Sequence, residues 1–457
     1  MSIKEFYKSV VKIYSQNIDI DWQFPFKFSS AAEISGTGFF IHKDGYLLTC
    51  SHVVEAAKKV FIEVQDEGNQ KYEVIVVGFS PDMDIALLKT IKYKPKKILK
   101  LGHSNKIKVG DTVHAAGYPL GLDNLKITKG VLSGRQFGKL QMDTPISGGN
   151  SGGPLIYKKQ VVGICASSLV GTQAQNINFA VPIELFYNIK DRLLKDKYVR
   201  NTNLGVIYYY TSCDLLSLII NSNNKCDSGI YIVECFENSP LHNIGVRKDT
   251  IITKINGNKI DNKGQLFDKK INQILTFSEY QEYIKLGSTV KIEYFKDGKY
   301  TSKKFKYTPF YYSIQKRFPV YEKIDFEVLE GIVFMDLSFN HLDIYPMISM
   351  RFQKFSNRMK PRIIISGILP GSYFSINNLL QGGMLVKKVN DIEVNTVREL
   401  RKVLMNPLES SGNKFIKIET DIGIITAMNL KNLKKNTLNF RNVYKFKNRN
   451  NTINKLL

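Results

Sequence analysis

The sequence predicts a mainly β protein, and two patterns carry that reading. Through the first half, short apolar or β-branched runs at residues 39–41, 47–48, 60–64, 72–77, 85–88, 112–116, 128–132 and 161–164 follow one another, most of them separated by Gly, Pro, Asn or Asp. This is the punctuation of an all-β barrel. In the second half, a strand–turn–strand text beginning at Ser228 returns in weaker form from Ile363, so two further β-rich modules are expected. A chain of 457 residues has room for two to four domains, each with its own core.

Taken in order, residues 1–20 read as an amphipathic helix with Phe6, Val10, Val11 and Ile13 on one face. Trp22-Gln-Phe-Pro-Phe26 follows, an aromatic cluster around a proline. It suits packing onto a barrel and a subunit contact equally, because aromatic anchors dominate interfaces. Together these form an N-terminal segment, 1–32. The start lacks the continuous apolar stretch of a signal peptide and the Arg-rich, acid-poor character of a transit peptide. No apolar run reaches the roughly 18 residues of a membrane span. Five cysteines, at 50, 165, 213, 226 and 235, are an odd number without framework spacing, which suits a reducing compartment. Cytoplasmic residence is therefore expected.

Chemistry gathers at residues 146–155, Ile-Ser-Gly-Gly-Asn-Ser-Gly-Gly-Pro-Leu. A serine among glycines suits a nucleophile on a tight exposed turn, although a plain β-turn or a phosphate nest has the same text. On such a turn the amides of Gly149 and Ser151 can point at one spot and hold an oxyanion. A serine nucleophile needs a base, and the base an orienter. His52 ends an apolar strand that begins at Tyr46, and Asp84 enters another at Ile85. Asp82 is a rival orienter, and His114, inside a strand signal, reads as structural. The order His, Asp, Ser is that of chymotrypsin-like double barrels.

These residues and their neighbours resemble the HtrA/Deg family of serine proteases. The matching text is Gly36-Thr-Gly-Phe-Phe-Ile, Gly45-Tyr-Leu-Leu-Thr-Cys-Ser-His52-Val-Val, Asp84-Ile-Ala-Leu-Leu-Lys, Ala116-Gly-Tyr-Pro-Leu-Gly121, Gly149-Asn-Ser151-Gly-Gly-Pro-Leu and Asn178-Phe-Ala-Val-Pro182. It covers nearly all of residues 1–195. The resemblance puts the base on His52, the orienting acid on Asp84 and the nucleophile on Ser151, in a protease domain of two six-stranded barrels spanning 33–195. Cys50 stands where the family commonly has Asn or Ala, and Gly148 where it often has Pro. The S1 pocket is expected near Ile146 and the segment from Ala166 to Asn178, with small or aliphatic P1 residues favoured. The resemblance also implies a homo-oligomer, a trimer or a multiple of one.

Residues 200–308 resemble a circularly permuted PDZ domain, through Ser228-Gly-Ile-Tyr-Ile-Val233, Gly245-Val-Arg-Lys-Asp249 and Ile255-Asn-Gly-Asn-Lys-Ile260. A glycine-led strand there would take an extended peptide by β-augmentation on Gly229, Ile230 and Tyr231. Residues 361–430 resemble a second, divergent PDZ domain, after an aromatic-rich connector at 309–360. This layout is closest to plant and other eukaryotic-type Deg proteases. A basic tail, 431–457, closes the chain.

The net charge of +24 reads first as composition, since Lys, Asn, Ile and Tyr are all plentiful, and second as a preference for acidic partners. A nucleic-acid tether through the tail is the lesser reading. No Gly-rich loop ends in Lys-Ser/Thr, so no nucleotide is implied, and no cofactor or metal is expected. The leading expectation is an ATP-independent serine endopeptidase that cleaves unfolded or damaged proteins through an acyl-enzyme, with PDZ domains for peptide binding, regulation or assembly. The alternative is a non-proteolytic chaperone or scaffold with a resting protease domain.

Overall fold

The structure, a computed structural model, describes residues 3–168, 177–220 and 227–446. The chain forms two compact units. One comprises Met1–Asn17 with Ala32–Tyr311, the other Ile18–Ala31 with Tyr312–Leu457.

In the first unit, after a short helix α1 (Ile3–Tyr7), twelve strands make two closed barrels. The first runs β1 (Val10–Ile20), β2 (Phe28–Phe40), β3 (Tyr46–Thr49), β4 (Ala57–Val64), β5 (Lys71–Ser80) and β6 (Ile85–Thr90). Its order is β1-β2-β3-β6-β5-β4. The second runs β7 (Thr112–Gly117), β8 (Lys126–Gln136), β9 (Lys139–Met142), β10 (Pro154–Tyr157), β11 (Gln160–Ser168) and β12 (Asn178–Pro182), in the order β10-β11-β12-β9-β8-β7. Closure leaves neither barrel an open edge. Seven of the eight expected runs fall within strands, and the eighth, 39–41, overruns the end of β2 by one residue. The helix expected over 1–20 survives only as α1. From Val10 the chain is β-branched at Val10, Val11, Ile13, Ile18 and Ile20, which costs side-chain freedom in a helix and suits a strand. Val11, Ile13 and Ser15 pair with Val64, Ile62 and Val60 and close the first barrel.

Helix α2 (Ile183–Leu193) leaves the second barrel, and the first module follows in the same unit. It comprises β13 (Val206–Tyr209), α3 (Cys213–Ile220), β14 (Ile230–Cys235), α4 (Pro240–Asn243), β15 (Ile251–Ile255), β16 (Asn258–Lys259), β17 (Gln265–Asp268), β18 (Gln273–Thr276), α5 (Phe277–Tyr283), β19 (Thr289–Lys296) and β20 (Lys299–Lys306). The sheet order is β13-β14-β15-β19-β20, with β16 beside β15. Ile230, Ile232, Ile252, Ile255, Phe277 and Ile292 form its core. The module is tied to the protease part by Asn188 Nδ2 donating to the Glu282 carbonyl at 2.7 Å and by the Tyr283 hydroxyl donating to the Gly138 carbonyl at 3.2 Å.

The second unit holds β21 (Phe326–Leu329), β22 (Ile332–Asp336), α6 (Phe339–Leu342), α7 (Pro346–Phe352), β23 (Ile363–Ile368), α8 (Tyr373–Ile376), β24 (Leu385–Val389), β25 (Ile392–Glu393), α9 (Val397–Leu404), β26 (Leu408–Ser410), β27 (Asn413–Thr420), β28 (Ile425–Asn429) and α10 (Leu430–Tyr444). Its sheet runs β21-β22-β23-β24-β27-β26, with β25 beside β24 and β28 beside β27. The expected connector at 309–360 is thus largely part of this module, since it supplies β21 and β22. The tail begins as α10, whose Leu430, Leu433 and Thr437 are buried; residues 447–457 lie outside the described residues. Trp22, Phe24 and Phe26 pack against this unit's Phe326, Leu385 and Phe446 cluster. The aromatic segment therefore belongs to this core rather than to the barrel surface, and its rings are engaged within the chain.

Candidate active site

His52 sits in a single 3-10 turn, Ser51–Val53, just after β3. Asp84 ends the turn before β6 and adopts φ 54°, an uncommon conformation for a residue with a side chain. This places its carboxylate against the His52 turn. His52 Nδ1 lies 2.9 Å from both Asp84 oxygens, while the His52 amide at 3.1 Å and the Ser51 hydroxyl at 3.2 Å donate to Oδ1. Burial alone would depress the His52 pKa, but the hydrogen bond to Asp84 and its charge outweigh burial and hold it above the ordinary histidine value. Burial would raise Asp84, and its bond to His52 overrides that and holds it below the usual carboxylate range. Asp82 is engaged elsewhere, accepting from the Asn201 amide at 2.8 Å. His114 lies on β7, paired with Ile156 and Lys129.

Ser151 is carried by two successive β-turns. The Asn150 amide donates to the Ser147 carbonyl and the Gly153 amide to the Asn150 carbonyl, both at 3.0 Å. The third residue of each turn, Gly149 at φ 94° and Gly152 at φ 88°, has positive φ while the second does not. Both are therefore type II turns, which demand glycine at that place. Space demands it too: a Cβ on Gly149 would lie 2.3 Å from the Tyr118 carbonyl oxygen, and one on Gly152 would lie 2.1 Å from Thr49 Oγ1.

The Gly148 carbonyl accepts from the Leu120 amide. In a trans peptide the N–H points opposite to the C=O, so the Gly149 N–H faces away from Leu120. Neither it nor the Ser151 N–H has an acceptor among the described residues. Two amides without an acceptor thus lie at Ser151 and two residues before it, free to serve as donors to an oxyanion. Ser151 Oγ itself donates to the Ala166 carbonyl at 2.9 Å, and no hydrogen bond joins it to His52 in this conformation.

Thr37 of β2 binds the two halves together. Its amide donates to the Ser151 carbonyl at 2.9 Å and its hydroxyl to the Gly149 carbonyl at 2.7 Å. Sequence reasoning gave no role to Thr37, Ser51 or the Leu120 amide. The available signal was their place within the quoted motifs. Of the expected S1 wall, Ile146 and Ala166 are buried, and Asn178 Nδ2 donates to the Thr144 carbonyl at 2.9 Å. Residues 169–176 lie outside the described residues.

Cys50 Sγ, His52 Nδ1 and the Asp84 carboxylate lie within 4.8 Å of one another. They do not fit a metal centre. Zinc bonds of about 2.0–2.1 Å in tetrahedral geometry separate two ligands by about 3.3 Å, whereas His52 and Asp84 are already hydrogen-bonded at 2.9 Å.

The peptide-binding expectation at Gly229, Ile230 and Tyr231 is corrected. Strand β14 is interior: Tyr231 pairs with Tyr209 on one side and with Ile251 on the other. Strand addition needs an unpaired edge. The edges of this sheet are β13 and β20, and β20 carries Lys299, Lys303, Lys304 and Lys306, a charge pattern that discourages pairing.

Comparison with known proteins gives a match of residues 36–164 to the trypsin-like peptidase domain. A probable periplasmic serine endoprotease, DegP-like, of Pseudomonas putida (strain GB-1) is 35% identical over 241 residues, covering 50% of this chain and 49% of the relative. The protein of the same description from Chlamydia pneumoniae is 32% identical over 245 residues, covering 51% and 48%. The chain thus spans about half the length of the curated relatives it matches. The solved structure of the HtrA-type protease AlgW with decapeptide aligns at TM-score 0.51 and 22% identity, over 67% of this chain and 97% of that one, a likeness of fold.

The relatives are named as periplasmic, which overturns the cytoplasmic expectation. The cysteine argument misled because Cys50 and Cys165 are fully buried. Burial pushes the Cys165 thiol up to about 12, and so protected a thiol says little about its compartment. Among the described residues, no helix is long and apolar enough to cross a membrane.

Proposed function

We propose that the chain is a serine endopeptidase of the HtrA/Deg type, on the likeness of its protease half to the trypsin-like peptidase domain and to DegP-like endoproteases, with His52 as base, Asp84 as orienter and Ser151 as nucleophile. The observation that carries the reading is the pair of unsatisfied amides, Gly149 and Ser151, on the turn that bears the serine. In the reaction, Ser151 Oγ leaves the Ala166 carbonyl by rotation about χ1 and attacks a peptide carbonyl. His52 takes its proton, and the Gly149 and Ser151 amides hold the oxyanion. Asp84 fixes the His52 tautomer and steadies the imidazolium. His52 then protonates the leaving amine, and water, deprotonated by His52, releases the acyl group from Ser151.

The first module is read as a PDZ domain that takes extended peptides on the free edge of β13, beside α5. The Tyr208 hydroxyl lies 3.0 Å from Ser278 Oγ, and its ring stacks edge-on against Phe277, so helix and edge strand flank one groove. Substrates are read as unfolded or damaged proteins, the compartment as the periplasm of the relatives, and the assembly as a homo-oligomer.

The test is cleavage of unfolded casein without nucleotide, together with fluorophosphonate labelling. Wild type is expected to cleave and to label. Ser151→Ala should do neither, with a rate loss on the order of 10⁶. Cleavage undiminished in Ser151→Ala would sink the assignment. Wild type that folds but neither cleaves nor labels would favour the non-proteolytic reading.

A further inference from the structure

The two modules share one plan. Strands β13, β14, β15, β16, β19 and β20 of the first correspond in order and pairing to β22, β23, β24, β25, β27 and β28 of the second. Helices α5 and α9 occupy the same place in that order. Both begin at a threonine cap, Thr276 accepting from the Glu279 amide and Thr396 from the Glu399 amide. Counting from the caps, Gln281 and Arg401 are equivalent, each the fifth residue on.

At this position the modules part. In the first, β13 is an edge, and Gln281 Oε1 accepts from the Leu204 amide just before it, at 2.8 Å. In the second, β22 is no edge. The extra strand β21 lies antiparallel against it, Phe326 with Met335, Glu327 with Phe334 and Val328 with Val333. Arg401 fastens the far side of that strand. Its Nε donates to Glu327 Oε2 at 2.6 Å, its two terminal nitrogens to the Asp325 carboxylate at 2.6 and 2.9 Å, and one of them also to the Phe326 carbonyl at 2.7 Å. The strand thus sits between β22 and α9, the place that remains open in the first module. Arg401 and Glu327 are both buried. A charge-assisted, bidentate contact of this kind is selective for carboxylates.

We propose that β21 is a built-in ligand. It fills the strand-accepting groove of the second module, and Arg401 reads its acidic side chains at alternate positions, Asp325 and Glu327. The kind of partner this groove fits is therefore an extended segment with an Asp-x-Glu pattern, and the chain supplies its own. The proposal rests on the strand-addition reading of the first module only for the parallel; the tests below read β21 directly. Failure of strand addition at β13 would instead show as an absence of peptide binding at the first module.

Hydrogen exchange on the full-length wild-type protein comes first, because it needs no variant. The β21 amides are expected to exchange at least tenfold faster than those of β22 and β23, through an opening that leaves the rest of the sheet protected. A single common rate for all three strands would overturn the proposal, since β21 would then be inseparable from its sheet. The second test uses full-length Asp325→Asn/Glu327→Gln and a fluorescein-labelled synthetic peptide of residues 323–331. Loosening β21 should admit the labelled peptide with at least tenfold higher affinity than wild type, and adding Arg401→Gln should abolish the gain. Release of β21 without peptide binding, or binding that persists in the Arg401→Gln background, would overturn it.

Discussion

The two barrels contribute to the candidate site by different means. The first offers side chains held by side chains: Asp84 accepts from the His52 ring, the His52 amide and the Ser51 hydroxyl. The second offers a backbone held by backbone. Two type II turns carry Ser151, and the Leu120 amide turns the Gly148 carbonyl outward. In the proposed reaction, a site built this way would separate proton management from oxyanion binding. Substitutions in the first half should move the pH dependence, and those in the second should change the rate at unchanged pH dependence.

The largest effect that tests this separation comes from Asp84→Asn. An amide can donate to His52 Nδ1 and so favour the wrong tautomer, with kcat expected to fall on the order of 10⁴. The sign of the pH shift follows from the wild-type pair. Asp84 holds the His52 pKa above its ordinary 6.5, and His52 must be neutral to act as base. The wild-type acid limb of kcat/KM is therefore expected above pH 6.5, and without the carboxylate it should move to lower pH. A pH–rate profile of both proteins measures this. An unmoved limb would mean that Asp84 does not set the base.

Gly149→Ala comes next. Alanine resists φ 94°, and its Cβ would meet the Tyr118 carbonyl, so the central peptide of the turn should abandon the type II form and withdraw the Gly149 amide. Loss of one oxyanion donor costs about 10²–10³ in kcat, with KM and the acid limb little changed. Steady-state kinetics across pH would show it, and a shift of the limb would break the separation between the halves.

The legibility of these two halves in the sequence also differed. His52, Asp84 and Ser151 stood out because few residue types can do their chemistry and each lay in a telling context. Thr37 and the Leu120 amide were invisible: one acts through a common hydroxyl, the other through a group that every residue but proline carries. The same divide runs through the fold. Strand runs were legible wherever β-branched residues met turn residues, but Val10–Ile20 also placed apolar residues at helical spacing, and pairing with Ala57–Val64 decided the matter. Gly229–Tyr231 looked like a peptide-accepting strand, yet whether a strand is an edge is set by its neighbours, β13 and β15. For the same reason β21 was read as connector: an added edge strand has no counterpart in the first module to be matched against.

Gly148→Pro is expected to have the smallest effect and bears most directly on how the second half is held. In a type II turn the second residue favours proline. Three features of Gly148 permit the change. Its φ is not positive, a Cβ built on it meets nothing within 4 Å, and its amide has no acceptor among the described residues. The carbonyl that accepts from Leu120 is retained. Proline should therefore stabilise the protein by about 0.4–1 kcal/mol, mostly by restricting the unfolded chain, and leave kcat within about threefold of wild type. Denaturant unfolding and steady-state kinetics on the same preparation would check both. A tenfold loss of kcat in a stable Gly148→Pro protein would mean that the active turn is not the type II turn of this structure, and the Leu120 amide would lose its place in the argument.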